Sequence, residues 1–489
     1  MSVYRELLHI SQSINVIHIG AHPDDEDTGL ISYLSNKYGM RVFYWSATRG
    51  EKGHNHSNTL HDAALGILRT WESLDAAAIN HSECIFGPFI DFGFTKNAKT
   101  ALMYWNHLES LDDIDWTNER ITKEIVRTIR QYKPLIIISR WSGAPADFHG
   151  HHQAVGLATR AAFDLAGQPH VFQELEDEDL YPWQPLKLYI STDNSAGMQT
   201  FGGALNLSGK QNYQLENQPN IITINTGELE PDSQNTYQER GWLAYGQHRS
   251  QGMAQPSAPG DFKYYFELAK SLCGQGVDFL GGIDPSLRGL ARLLNLTDPS
   301  SLSALNHAQQ LCDETLNLHL TGERQQCAQR LLSLLSTLRT FNQDLKGSNL
   351  TPTNIHALKC YIEHKIRQTE ELICTLFHLR FEALIDGMYF VQGTQNGISL
   401  QLFAYGNAVV DHVEFGLDVP AIATLTKKSD FDFSLSPNDP DAITSARLFR
   451  QDYRLYTGFG EMDTEVYWLR QPNDGRLYDW EDSPYAGRA

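Results

Sequence analysis

The sequence predicts an α/β protein: a Rossmann-like, mostly parallel sheet with helices on both faces, followed by a helical segment and a C-terminal β-sandwich-like domain. Three observations carry this. Over the first half, short apolar runs alternate with helix-period segments, the pattern of a parallel sheet covered on both faces. From about Asp284 to Leu379 helical spacing takes over. After Leu379 the apolar period becomes two. The expected domains are therefore residues 1–285, 286–378 and 379–489.

Taken in order, Val16–Ile19, Val42–Ala47, Leu135–Ser139, Leu186–Ser191 and Ile221–Asn225 are the expected strands. Asp27–Asn36, Thr59–Ala78, Asn118–Tyr132, Gln153–Ala166 and Thr236–Met253 are the expected helices. Arg324–Phe341 and Asn354–Phe377 carry apolar residues at helical spacing, and Lys346–Asn354 reads as the turn of a helical hairpin. In Met388–Asn407 the pair Asn396-Gly397 predicts a hairpin turn. His412–Val419 also alternates and reads as strand.

Composition sets bounds. Hydrophobic residues make up 41% and charged residues 20%, ordinary values for a globular protein. The net charge of -20 argues against nucleic acid or an anionic membrane surface as partner, because there is no excess of Lys and Arg to neutralise phosphates. No apolar stretch is long enough to span a bilayer, and MSVYRELLHISQSIN lacks the pattern of a signal peptide. The six cysteines are scattered without a C-x-x-C pair, which reads as buried free thiols and a cytoplasmic location.

Two turns concentrate chemistry. His22, Asp24 and Asp25 follow the first strand directly, and Asp147, His149, His151 and His152 follow the strand Leu135–Ser139. In an open α/β sheet ligands bind at the carboxyl ends of the strands, so parallel strands would bring the two turns to one edge. Two adjacent carboxylates repel unless something positive holds them. Histidines with carboxylates form a metal site by ligand type, and two histidines, one carboxylate and an open position suit catalytic zinc. Asp24 and Asp25 are neighbours, so one faces the metal and the other lies beside the attacking water, where it can accept a proton. A remaining histidine can stabilise an oxyanion or protonate a leaving amine. Helix capping by the acidic pair would account for one Asp but not for His22 or the second cluster.

The residues Ala21-His22-Pro23-Asp24-Asp25-Glu26 resemble the AHPDDE signature of the PIG-L/LmbE family of zinc-dependent N-acetylglucosaminyl deacetylases. His149-Gly150-His151-His152 resembles that family's distal H-x-x-H element, in which members commonly carry Asp where this chain has His151. Thr48–Gly53, Leu68–Glu72, Asp91-Phe92-Gly93 and His248–Gln251 resemble four further family elements in the same order, over roughly residues 13–285. The later segments resemble the middle of longer LmbE-like bacterial proteins. The resemblance implies His22, Asp25 and His152 as metal ligands, Asp24 as general base and His149 as acid or oxyanion donor. It implies Arg69 and Asp91 as contacts to sugar hydroxyls, and zinc as the metal, with Fe2+ or another divalent ion as alternatives in vivo. His151 is left without a role. Arg69 could instead pair with Glu72 on its own helix, and Asp91 could only start a turn.

The expected function is deacetylation of a small N-acetylglucosamine-type conjugate, with the helical or β extension available for oligomerisation. Three other readings compete. A non-haem iron oxygenase would use His22, Asp24 and a distal His as a facial triad, but such triads belong to jelly rolls rather than to a strand entering a helix. A receiver-type phosphorylation domain would use the acidic pair for magnesium and leaves the histidines unexplained. A catalytically silent sugar-binding protein has no need of a base beside a metal-bound water. The aromatic stretch from Trp468 to Trp480 reads as packing rather than a carbohydrate platform.

Overall fold

Strand β1 (Asn15–Gly20) sits inside a seven-stranded sheet of order β3-β2-β1-β4-β5-β7-β6. Its parallel neighbours are β2 (Arg41–Ser46) and β4 (Ile136–Ser139); β3 (Glu83–Phe86) and β5 (Lys187–Ser191) extend the sheet in parallel on either side. The last two strands, β6 (Ile221–Asn225) and β7 (Lys263–Ser271), run antiparallel to each other, and β7 runs antiparallel to β5. The computed structural model describes residues 3–106, 119–192, 215, 218–231, 233–253, 259–274, 278–387, 393–405, 410–417, 423–435, 446–457, 466–471, 473 and 475–478.

The apolar runs become strands because both faces of the sheet are covered. Every residue of β1 is buried, and Val16, Ile17 and Ile19 are each at most 1% exposed. Each such side chain contributes about 1.5–3 kcal/mol through burial. The covering helices are α1 (Val3–Ser11), α2 (Thr28–Tyr38), α3 (Asp62–Asn80), α4 (Ala98–Asn106), α5 (Arg120–Tyr132), α6 (Gly150–Leu165) and α7 (Tyr237–Tyr245). The strand order turns back on itself between β1 and β4. Their register, Val16 opposite Ile136 to Ile19 opposite Ser139, brings the turns after them out side by side. At that switch point an α/β sheet opens a crevice.

Three features depart from the sequence expectation. Strands β3 and β7 and helices α1 and α4 were not foreseen. The helix expected over Thr236–Met253 starts on a capping box between Thr236 and Glu239 but ends at Tyr245, and a short 3-10 turn covers Arg249–Gln251. The chain leaves the helix there because three groups that follow find carboxylates elsewhere in the domain. The cysteines are all free, yet only Cys84, Cys312 and Cys327 are buried, and Cys374 is exposed.

The chain divides into two compact units. Met1–Gln310, Thr337–His364 and Glu465–Ala489 form one, and Leu311–Ser336 with Lys365–Thr464 form the other. Helices α8 (Leu287–Leu293), α9 (Pro299–Leu320), α10 (Arg324–Asp344) and α11 (Pro352–Leu376) make up the expected helical segment. In the second unit Arg330 pairs with Glu314 across the turn between α9 and α10.

The second unit also holds β8 (Leu379–Ile385), β9 (Gln395–Tyr405), β10 (Ala423–Leu435) and β11 (Ala446–Thr457) in one antiparallel sheet of order β10-β11-β9-β8. Among the described residues there is one sheet rather than two facing ones. Asn396-Gly397 is not the hairpin turn: both residues already pair with β11, opposite Leu455 and Arg454. The Asp386 carboxylate accepts from Gly397 N at 2.8 Å. Residues 410–417 form no strand; Phe415 and Leu417 pack instead on the cluster of Ile398, Leu400, Tyr453 and Leu455. Residues 418–419 lie outside the described residues.

Candidate metal centre

The first turn is shaped before any ion is considered. β1 ends at Gly20, where a Cβ would lie 2.8 Å from Asp25 Cβ and collide with Tyr44 Oη, so glycine is what permits the turn to fold back. Asp25 N closes the turn on His22 O at 3.2 Å. Oδ2 of Asp25 accepts three N–H groups: Ala21 N at 2.7 Å, His22 N at 3.0 Å and Trp141 Nε1 at 2.8 Å. Oδ1 is thereby turned towards His152 Nε2, at 3.5 Å. The acidic pair does not cap α2; Asp27 occupies that position.

The second turn brings its ligands to the same place. His152 Nδ1 lies 3.1 Å from Asp147 O, which fixes the Nδ1–H tautomer and leaves the Nε2 lone pair facing inward. The Trp141 ring stacks on His152 with centroids 3.6 Å apart and planes within 6°. His22 Nδ1 lies 3.2 Å from His152 Nε2 and 3.6 Å from Asp25 Oδ2. Donor atoms of these three residues all fall within 4.8 Å of one another. Two atoms bound to one tetrahedral ion at about 2.0–2.1 Å stand about 3.3 Å apart. The His22 Nδ1 to His152 Nε2 and His152 Nε2 to Asp25 Oδ1 separations match two edges of such a tetrahedron, and two imidazoles with a carboxylate are a zinc donor set, so the residues fit a divalent ion.

The electrostatics agree with a site that is short of positive charge. Burial pulls the His22 imidazole down, but Asp25, by charge and hydrogen bond, lifts it to about 9. Burial pushes Asp25 up, yet His152 and His22 outweigh it and hold the carboxyl far below the usual range. Asp24 moves the other way: burial, with the neighbouring Asp25 charge, raises it. His152, without a cation, drops to about 3, with burial the main cause.

Asp24 stands beside this set. With the Gln251 amide turned so that its nitrogen faces Asp24, it donates to both carboxylate oxygens at 3.0 and 3.1 Å. Gln251 comes from the segment that broke away from α7. In that segment His248 Nε2 pairs with Glu26 at 2.5 Å, and Ser250 donates to Glu72 through N at 2.6 Å and Oγ at 2.7 Å. Three side chains of one short segment thus occupy three carboxylates, of which Glu26 and Glu72 are buried and Asp24 half-buried.

His149 is the N-cap of α6. Its Nδ1 accepts from His151 N at 3.0 Å, so the neutral ring carries its proton on Nε2, the form that can donate to an oxyanion or amine. Burial, with His22 and His152 close by, lowers it to about 2. His151 is 0% exposed, and its Nδ1 is 3.1 Å from His22 Nε2.

Arg69 and Asp91 flank the site. Arg69 does not pair with Glu72; it donates to Gly50 O at 2.8 Å and His54 O at 2.6 Å and so shapes the loop after β2. Asp91 does start a turn, accepting from Gly93 N at 2.7 Å, and its Oδ1 also lies 3.8 Å from His151 Nδ1. Sequence reasoning missed Trp141 and Tyr478. Tyr478 donates to Glu51 Oε1 at 2.6 Å, and Trp468 lies over the Arg49 guanidinium at 3.5 Å. Trp468, Tyr478 and Ile90 form one buried cluster, so Trp468 is packing, as expected; Trp480 is outside the described residues.

Fold and site together define an α/β domain with a candidate two-histidine, one-carboxylate metal centre at its switch point. Residues 17–163 match the family model described as PIG-L, GlcNAc-PI de-N-acetylase. No curated protein matches the chain. Similar solved structures include N,N'-diacetylchitobiose deacetylase from Pyrococcus horikoshii, at 17% identity over 51% of this chain and 77% of that one, with a TM-score of 0.33. GalB, the 4-carboxy-2-hydroxymuconate hydratase of Pseudomonas putida KT2440, is 11% identical over 54% of this chain and 99% of that one, with a TM-score of 0.33. The A40926 pseudoaglycone deacetylase Dbv21 is 13% identical over 52% and 98%, with a TM-score of 0.30. No helix among the described residues is long and apolar enough to cross a membrane.

Proposed function

We propose that the chain is a metal-dependent hydrolase that removes acetyl from a small N-acetylglucosamine-type conjugate, with zinc as the metal. One observation carries the reading: His22 Nδ1, Asp25 and His152 Nε2 converge at tetrahedral-edge spacing while Asp24 and His149 border the same point. The match of residues 17–163 to a de-N-acetylase family supports it.

In this reading His22, Asp25 and His152 would hold the ion, which would supply polarisation of the amide carbonyl and acidification of water. Asp24 takes the proton from the attacking water. Its raised pKa moves it towards the range a general base needs, and Gln251 fixes its orientation. His149 donates a hydrogen bond from Nε2–H to the oxygen that gains charge, and the proton that Asp24 took from the water passes to the departing amine as the C–N bond breaks. The products are acetate and a free amine. Asp91 and Arg69 are assigned the sugar hydroxyls, with Arg69 also forming the wall through Gly50 and His54. We take residues 1–285 as the catalytic domain, 286–378 as a helical segment and 379–489 as a β-rich region whose residues 466–478 return to the catalytic unit.

The test is metal content and acetate release measured together. Wild type should bind about one zinc per chain, His152→Ala should bind little, and acetate should be released from a panel of N-acetylated amino-sugar conjugates. A chain that takes up no metal after reconstitution, or a loaded chain that releases no acetate from any conjugate, overturns the proposal.

A further inference from the structure

His151 is the residue that the chemistry above leaves over. It is fully buried and cannot turn: Trp105 stacks on it at 4.6 Å, and Phe92 meets it edge-on at 4.4 Å. A histidine enclosed by aromatic rings is normally replaced at no loss by an apolar residue unless one of its nitrogens is used. Here one is. Nδ1 faces His22 Nε2 at 3.1 Å, while Nε2 has no hydrogen-bond partner.

The two nitrogens of His22 divide the work. Nδ1 is the atom that faces His152 and Asp25. An imidazole that gives its Nδ1 lone pair to an ion keeps its proton on Nε2, and that N–H needs an acceptor. His151 Nδ1 stands where the acceptor must be. The lone pair can point at His22 only if the proton of His151 is on Nε2, among the rings. The chain tolerates one unpartnered buried nitrogen, and in return the ring of His22 is held with Nδ1 facing His152 and Asp25.

We propose that His151 is a positioning residue for the metal ligand His22, acting as hydrogen-bond acceptor through Nδ1 rather than as a ligand itself. The inference rests on the metal-centre reading of the preceding section. It also predicts how the ligand is tuned. A neutral imidazole acceptor adds no negative charge behind His22, unlike the carboxylates that often occupy this position in metal sites. His22 therefore remains a neutral ligand.

The experiment is zinc affinity by competition with a chelator, on wild type, His151→Phe and His151→Asn. Phenylalanine keeps the packing between Trp105 and Phe92 and removes the acceptor; asparagine can place its amide oxygen near the former Nδ1. The expected result is a loss of about 10–100-fold in affinity for phenylalanine and recovery of most of it for asparagine. A second readout needs no variant. In zinc-loaded wild type labelled with 15N-histidine, His151 should be the Nε2–H tautomer. Equal zinc affinity in wild type and His151→Phe overturns the inference and leaves the metal centre standing. So does an Nδ1–H tautomer, or a second zinc in wild type that is lost in His151→Phe, since His151 would then be a ligand. A wild type that binds no zinc at all overturns the inference and the metal centre together.

Discussion

The Tyr478 hydroxyl donates to Glu51 Oε1 at 2.6 Å, joining positions 427 residues apart. The other oxygen, Oε2, accepts from Asp91 N at 3.0 Å, so one buried carboxylate links residues 466–478 to the turn carrying Asp91. Ile90 N donates to Arg476 O at 2.9 Å and Tyr478 N to Pro88 O at 2.8 Å, which lays this segment along the exit of β3. Tyr478→Phe keeps the ring in its cluster and strips one hydroxyl from a buried pair. It should cost about 1–3 kcal/mol of stability, read as a lower urea midpoint. An unchanged midpoint would mean that Glu51 does not depend on Tyr478.

Asp24→Asn removes a charge beside the metal centre without removing a proposed ligand. Zinc content should stay near that of wild type, and acetate release should fall by about 10²–10⁴. Loss of zinc in this variant would instead make Asp24 a ligand.

Trp141 supports two ligands at once, through its N–H to Asp25 Oδ2 and its ring on His152. Trp141→Phe keeps an aromatic face and deletes the donor. Zinc affinity should fall by at least about 10-fold in chelator competition while the metal-free protein melts close to wild type.

Acid should destabilise the fold through His81. Burial, with Arg5 and Arg240 nearby, lowers its imidazole to about 4, and its Nδ1 lies 2.7 Å from Asn36 Oδ1. The unfolded chain takes up this proton near 6.5 and the folded one only near 4. Stability from this residue is therefore complete above pH 6.5 and is lost as pH falls through that window. His81→Asn suits the left-handed backbone at this helix end, φ 54°, and cannot titrate. Its melting temperature should fall less steeply than that of wild type between pH 6.5 and pH 4.

The sequence made the sheet and the donor set legible for a local reason. His22, Asp24 and Asp25 lie within four positions, as do His149 and His152, and each group sits in the loop that follows an apolar run reading as a buried strand. That the two groups meet required one further assumption, that β1 and β4 are parallel, and the register supports it. The supports of the site were not legible, because they act across distance. Trp141 reaches Asp25 over 116 positions and His248 reaches Glu26 over 222. No local period encodes such contacts. The same holds for the helix expected to run on to Met253. Its local pattern is helical, but Ser250 and Gln251 leave it for Glu72 and Asp24. Asn396-Gly397 misled for the converse reason. A turn-forming dipeptide was drawn into a strand by pairing with β11 and by the Asp386 carboxylate.

The partner of Glu51 sets a timetable for synthesis. Chain growth at about 5–20 residues per second puts Tyr478 roughly 20–90 seconds behind Glu51 at the ribosome. Once α6 has been made, the nascent domain can form β1 to β4 and bring its histidines together, yet Glu51 still lacks the hydroxyl of Tyr478. The emerging chain thus carries a nearly finished centre with one wall open, and the last wall to arrive comes from a segment translated after an entire second folding unit.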